Sequence, residues 1–172
     1  ASITVTIKER DAATVSVTGV TLNTEALNLK EGETASLQAA IEPSNATNKN
    51  VFWKSSDENV VFVSSEGSVL ARKEGEATIT AITADGSFQT VCAVTVTPVA
   101  VESVSVSETS LMLPEGISSA LTAVITPSNA SNRSVTWTSS DERVATVSED
   151  GVVTAVTAGN ATITVTTADG NK

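Results

Sequence analysis

Residues 20–86 return as residues 104–170 at a constant offset of 84, without a gap, and 34 of the 67 aligned pairs are identical. A repeat of this kind constrains the fold more than any single motif, because one packing solution must serve both halves. The period exceeds the roughly 20–50 residues of solenoids and propellers. It is long enough for each copy to bury a modest core of its own. Tandem domains are therefore expected. The densest identity runs from Pro43-Ser-Asn-Ala-Thr-Asn through Trp53-Lys-Ser-Ser-Asp57, and again from Pro127-Ser-Asn-Ala-Ser-Asn through Trp137-Thr-Ser-Ser-Asp141. It contains both tryptophans of the chain.

The residue pattern is that of strands. Ala35, Leu37, Ala39 and Ile41 alternate with polar residues, as do Val51 and Trp53, Val61 and Val63, Val69 and Ala71, and Ala77, Ile79 and Ala81. A period of two places each set on one face of a strand. The β-branched residues that fill these stretches suit strands better than helices, and no helical periodicity is sustained. Val20–Leu22 and Leu27–Leu29 read as one strand interrupted midway. Ala84-Asp85-Gly86 is a hairpin signal, since Asp-Gly supplies the positive φ angles of a tight turn. Turns fall every 8–12 residues, which points to an all-β chain of two sandwiches with seven to eight short strands each. The boundaries expected are a leader over 1–19 that holds a β-strand and ends a preceding domain, one domain over 20–98, and a second over 99–172. Residues 98–102, Pro-Val-Ala-Val-Glu, read as a short linker stiffened by proline, which predicts a rod of limited flexibility.

The second copy lacks the last strand of the first. After Ala168-Asp169-Gly170 only Asn171 and Lys172 follow, whereas Gly86 is followed by Phe88 to Val96. The leader carries a matching pattern, with Ile3, Val5 and Ile7 on one face. An unpaired strand edge invites association, so Ile3, Val5 and Ile7 of a neighbour are candidate donors to the open edge of the second domain.

The combination Trp53-Lys-Ser-Ser-Asp57, Val60, Val63, Gly67-Ser-Val-Leu-Ala71 and Gly75-Glu-Ala-Thr-Ile-Thr80 resembles the bacterial immunoglobulin-like domain, group 2. So does Trp137-Thr-Ser-Ser-Asp141, Val144, Val147, Gly151-Val-Val-Thr-Ala155 and Gly159-Asn-Ala-Thr-Ile-Thr164. The resemblance covers 20–98 and 102–170. It implies Ig-like β-sandwiches of the kind found in tandem on bacterial surface proteins such as adhesins, in surface hydrolases as spacers, and in some phage tail and decoration proteins. It brings no catalytic motif. Cys92 is the chain's single cysteine, so no disulfide joins the sheets. Trp53 and Trp137 are then expected to pack on aliphatic side chains alone, with Leu37, Ile79, Leu121 and Ile163 as the core around them.

Other polar features have a structural reading beside the functional one. The repeated Ser-Asn-Ala loop could contact a ligand, but Ser and Asn also cap turns through their own backbone, and identity between the copies favours the shared structural need. Asp57-Glu58 and Asp141-Glu142, with Glu31 or Glu115, offer oxygens to calcium. That ion takes 6–8 ligands, and the chain has no Asp-rich loop to supply them. Turn residues are the better reading. Phe52 and Phe62 are out of phase with the inward positions and become Thr136 and Thr146 in the second copy. They form a candidate contact patch.

A net charge of −10 without any basic run argues against nucleic acid. No apolar run reaches the ~20 residues of a membrane-spanning helix. There is no histidine, and Cys92 sits on an apolar strand face without an activating partner. No enzyme, cofactor or metal is expected. The function expected is a cell-surface or secreted spacer or adhesive module that meets a protein or glycan ligand. A carbohydrate-binding or accessory module of a glycan-processing protein, and a phage virion or strand-exchanging subunit, are the alternatives.

Overall fold

The structure is a computed structural model that describes residues 2–4, 13–170 and 172. All described secondary structure is strand, and the chain divides into two compact units, 1–97 and 98–172.

The described residues of unit one form nine strands. They are β1 (Gly19–Leu22), β2 (Ala26–Lys30), β3 (Thr34–Ser36), β4 (Ala39–Glu42), β5 (Val51–Ser55), β6 (Val61–Val63), β7 (Ser68–Ala71), β8 (Gly75–Thr83) and β9 (Gln89–Thr97). One sheet has the order β2-β9-β8-β5, another β3-β7-β6, and β1 pairs with β4. The stretch read as one interrupted strand is two strands with different partners, since β1 is antiparallel to β4 while β2 is parallel to β9. The run with Ala35, Leu37, Ala39 and Ile41 divides in the same way into β3 and β4. Leu37 sits at that break and is 1% exposed. The break is held by Asn23, which accepts from the Gln38 N–H through Oδ1 at 2.8 Å and donates its own N–H to the Gln38 carbonyl at 3.0 Å.

The core follows the alternation. Ala77, Ile79, Ala81 and Thr83 of β8 face inward, as do Cys92, Val94 and Val96 of β9, and these join Leu37, Val61, Val69 and Ala71. Strand β9 lies between two neighbours. It is antiparallel to β8 along eight residue pairs and parallel to β2 along five.

The described residues of unit two form seven strands: β10 (Ser103–Val106), β11 (Ser118–Ala120), β12 (Ala123–Thr126), β13 (Val135–Ser139), β14 (Ala145–Val147), β15 (Val152–Ala155) and β16 (Ile163–Thr167). The pairs β10-β12 and β13-β16 and the sheet β11-β15-β14 repeat their counterparts in unit one. Two differences have one cause. Residues 110–114, which match β2, form no strand, and β16 begins at Ile163, where the match to β8 would begin at Gly159. In unit one, β9 is the one strand among the described residues that β2 and residues 75–78 of β8 pair with. Unit two has no strand in the β9 position among its described residues, so both flanks lack the partner that makes them strands.

Residues 98–102 are tied into unit two. Val99 donates its N–H to Ser131 Oγ at 2.8 Å and accepts from the Ser131 N–H at 2.8 Å. The Val101 N–H donates to Asp169 Oδ2 at 2.8 Å, and the Glu102 N–H to the Thr126 carbonyl at 2.8 Å. Val15 and Val17 make the same contacts with Thr47 and Asp85 in unit one.

Candidate functional site

The Pro-Ser-Asn-Ala loop is a latch. Its Thr47 and Ser131 hydroxyls hold the leading segment of each unit, Asn48 and Asn132 accept from the N–H two residues on, and Ala46 and Ala130 are buried beneath. The peptide bonds before Pro43 and Pro127 are cis. These side chains are spent on the fold.

The acidic residues are spent similarly. Asp57 Oδ1 accepts from the Asn59 N–H at 2.9 Å, and Asp141 Oδ1 from the Arg143 N–H at 3.0 Å. Asp141 also holds the Arg143 guanidinium at 2.9 Å, and that side-chain contact, with the backbone one, keeps its carboxyl below the usual range. Glu31 and Glu115 each accept a backbone N–H 43 residues on, from Glu74 and Ala158. Asp85 and Asp169 clamp the N–H of Val17 and Val101. Turn chemistry alone does not show this last pair. The signal available to a reader is that both aspartates and both valines recur together at the same offset. Among the described residues no group of three or more His, Cys, Asp or Glu side chains converges as a metal site would.

Leu37 and Ile79 lie in the deepest part of the core, at 1% and 0% exposed, and Leu121 is buried at 8%. Trp53 and Trp137 are half-buried, and Trp53 packs against the core cluster from its margin. The expectation that they rest on aliphatic side chains alone is corrected, because each indole lies over a glycine. A Cβ at Gly151 would fall 3.0 Å from the Trp137 ring and 2.6 Å from the Leu121 carbonyl oxygen, and Gly67 is placed likewise under Trp53. Both glycines have φ of 80°, a backbone conformation that disfavours any side chain. Ile163 is corrected too. It is half-buried although its counterpart Ile79 is sealed, because Ile79 lies opposite Cys92 of β9.

Phe52 and Phe62 do not form one patch. Phe52 stands on β5, 62% exposed, opposite Ile82. Phe62 stands on β6 in the other sheet, half-buried beneath the Arg72 guanidinium, 4.8 Å from the ring centroid. A shallow depression of about 590 Å³ adjoins Phe52, lined with Gln38, Asn50 and Glu66 among others. Burial pushes the Cys92 thiol up, which leaves it a neutral core side chain. Ile3 is 88% exposed and in no strand, while Val5 and Ile7 lie outside the described residues.

A deep concavity lies in unit two. It measures about 690 Å³ and is lined by Leu111, Leu113, Leu121, Val153, Ala161 and Ile163 among others. Their counterparts in unit one, Leu27, Leu29, Leu37, Val69, Ala77 and Ile79, belong to the core cluster or pack against it, together with β9. The concavity is therefore the place of a strand, open in unit two and filled in unit one. Met112, at 94% exposed, lies along its rim.

Sheets packed about an aliphatic core, with early strands that change partner between sheets, define each unit as an Ig-like β-sandwich, and the chain as a tandem pair. It belongs to the bacterial Ig-like domain (group 2) family, whose pattern matches residues 16–94 and 100–172. The chain is 38% identical over 157 residues to an uncharacterized protein of Clostridium acetobutylicum, covering 91% of this chain and 16% of that protein. It is 36% identical over 140 residues to an alpha-L-arabinofuranosidase of Bifidobacterium longum, with 78% of this chain and 13% of the enzyme covered. It is 34% identical over 172 residues to an Ig-like virion protein of Serratia phage KSP90, with 98% of this chain and 67% of that protein covered. The chain thus spans less than a fifth of the length of the first two. No helix of the described residues is long and apolar enough to cross a membrane.

Proposed function

We propose that the chain is a non-enzymatic mechanical module, a pair of Ig-like sandwiches in a bacterial cell-surface or secreted protein that holds neighbouring domains at a fixed spacing and supports adhesion. The observation that carries this reading is the junction. The Thr97 carbonyl accepts from the Glu31 N–H in unit one, and Val99 is already bonded to Ser131 in unit two. One residue, Pro98, with φ fixed by its ring, stands between the two bonded networks. The occurrence of similar modules in an arabinofuranosidase and in a virion protein supports a role that does not depend on the chemistry of the rest of the chain.

Spin labels at exposed Lys54→Cys and Thr138→Cys, in a Cys92→Ser background, test it by pulsed electron resonance. A narrow distance distribution is expected, broadened when four glycines are inserted after Pro98. A distribution already as broad in the parent rejects the spacer. A second reading, contact with glycans, rests on exposed Phe52 at the edge of a shallow depression of mixed polar and apolar lining and on the arabinofuranosidase relative. Binding on a glycan array that Phe52→Ala abolishes would favour it over the spacer.

A further inference from the structure

We propose that the depression beside β5 holds one neutral sugar residue of a glycan, with Phe52 and Trp53 as its apolar contacts and Gln38, Asn50 and Glu66 as its hydrogen-bond partners. This rests on the glycan reading of Phe52 and adds to it the site and the ligand class. Elsewhere in unit one the repeated polar side chains are taken up by the fold, as Thr47, Asn48 and Asp57 are. Around the depression they are not. Among the described residues no hydrogen bond or ion pair takes the side chains of Gln38, Lys49, Asn50 or Glu66.

The repeat separates the parts of this site. Leu37, Val51 and Trp53, which serve packing, return as Leu121, Val135 and Trp137. Gln38, Asn50, Phe52 and Glu66 become Thr122, Ser134, Thr136 and Asp150. The main chain adds further groups. Strand β5 ends the order β2-β9-β8-β5. The Asn50 carbonyl accepts from the Ala84 N–H, and the Ser56 N–H donates to the Thr78 carbonyl, so the even-numbered residues of β5 bond to β8. Val51 and Trp53 turn their N–H and C=O groups the other way, to the edge where the depression lies.

Size and charge choose the occupant. From Val51 to Trp53 the edge spans about 7 Å, and the next outward residue, Ser55, is only 6% exposed. That is too short a ladder for an added strand, but it suffices for a sugar ring. Such a ring lays its C–H face on an aromatic side chain and offers hydroxyls that both donate and accept, which suits a rim of amides, a carboxylate and main-chain groups. Lys49 and Glu66 cancel in charge, and the net charge of −10 repels anionic polymers, so the glycan is neutral.

The test is a titration of the full chain carrying Trp137→Phe, read by Trp53 emission and by the amide signals of Val51 and Trp53. Neutral arabinan, xylan, galactan and glucan fragments are compared with oligogalacturonate and with the peptide Thr-Val-Thr-Val-Thr. At least one neutral fragment is expected to move all of these signals. Gln38→Ala and Glu66→Ala are each expected to weaken its binding about tenfold, with the urea midpoint of the chain unchanged. Thr122→Ala and Asp150→Ala, at the same positions of unit two, are expected to leave it unaltered. No response to any sugar overturns both this proposal and the glycan reading. Binding that Phe52→Ala abolishes, but that ignores Gln38→Ala and Glu66→Ala and leaves both amides unmoved, overturns this proposal alone. So does binding confined to oligogalacturonate or to the peptide, or equal weakening by the unit-two substitutions.

Discussion

The two units share half of their aligned residues yet differ in how well they are sealed. Ile79, Ala81 and Val61 are fully buried in unit one, while their counterparts Ile163, Val165 and Ala145 are half-buried in unit two. Leu121 and Val153 remain buried, at 8% and 4%, where they lie next to or within the three-stranded sheet that both units complete. The burial lost in unit two is therefore concentrated along one strand position. What fills a sandwich core is as much the pairing of its strands as the apolar residues themselves.

Removing the same side chain from both units gives the largest contrast. Ile79→Ala leaves a cavity in a sealed core and is expected to destabilise unit one by roughly 3–5 kcal/mol. Ile163→Ala removes a side chain already half in water, with an expected loss of about 1–2 kcal/mol in unit two. Urea unfolding resolves the two, followed by Trp53 fluorescence in a Trp137→Phe chain and by Trp137 in a Trp53→Phe chain. Equal losses would break the comparison.

The tryptophan corner is where the units should behave alike. Alanine at Gly67 or Gly151 meets both the positive φ and a carbonyl oxygen beneath the indole. A loss of about 2–4 kcal/mol is expected in each unit. A much smaller loss in unit two would show that its open slot also loosens the tryptophan.

The period-two alternation and the 84-residue offset make most strands legible in the sequence, and with them the buried Leu37, Ile79 and Cys92. Three things were not legible. Strand exchange between sheets, as at Leu37 and between β1 and β2, leaves no mark on alternation, because the chain keeps its inward face while it changes partner. Whether a segment becomes a strand depends on a neighbour distant in sequence, as 110–114 demonstrates with a pattern close to that of β2. Phase shows that Phe52 and Phe62 point away from the core but cannot say that they do so from different sheets.

The clamp of Asp85 on Val17 and of Asp169 on Val101 gives a smaller test. Each carboxylate accepts a part-buried backbone N–H, at 2.9 Å and 2.8 Å. Asp85→Ala and Asp169→Ala leave that N–H without its partner, at a loss of about 1–3 kcal/mol each. Hydrogen exchange at Val17 and Val101 should accelerate in the respective variant. Exchange unchanged at either valine would assign the hold on the leading segment to the Thr47 or Ser131 hydroxyl alone.

The smallest effect separates two turns of nearly identical sequence. Asp57 holds the neutral Asn59 amide, while Asp141 holds the Arg143 guanidinium. The Arg143 contact lowers the folded pKa of Asp141, so its contribution is complete above the unfolded value and disappears as pH falls through the lowered folded one. Both groups are solvated, and screening keeps the effect on stability small. The direct measurement is the carboxyl-carbon shift of Asp141 during an acid titration. Arg143→Asn, which gives unit two the turn of unit one, is expected to move that midpoint to higher pH. Added salt should do the same in the parent and less in the variant, because salt screens the guanidinium charge and leaves the turn hydrogen bond in place. A midpoint unmoved by the substitution would mean that the backbone N–H, common to both units, is what lowers the Asp141 pKa.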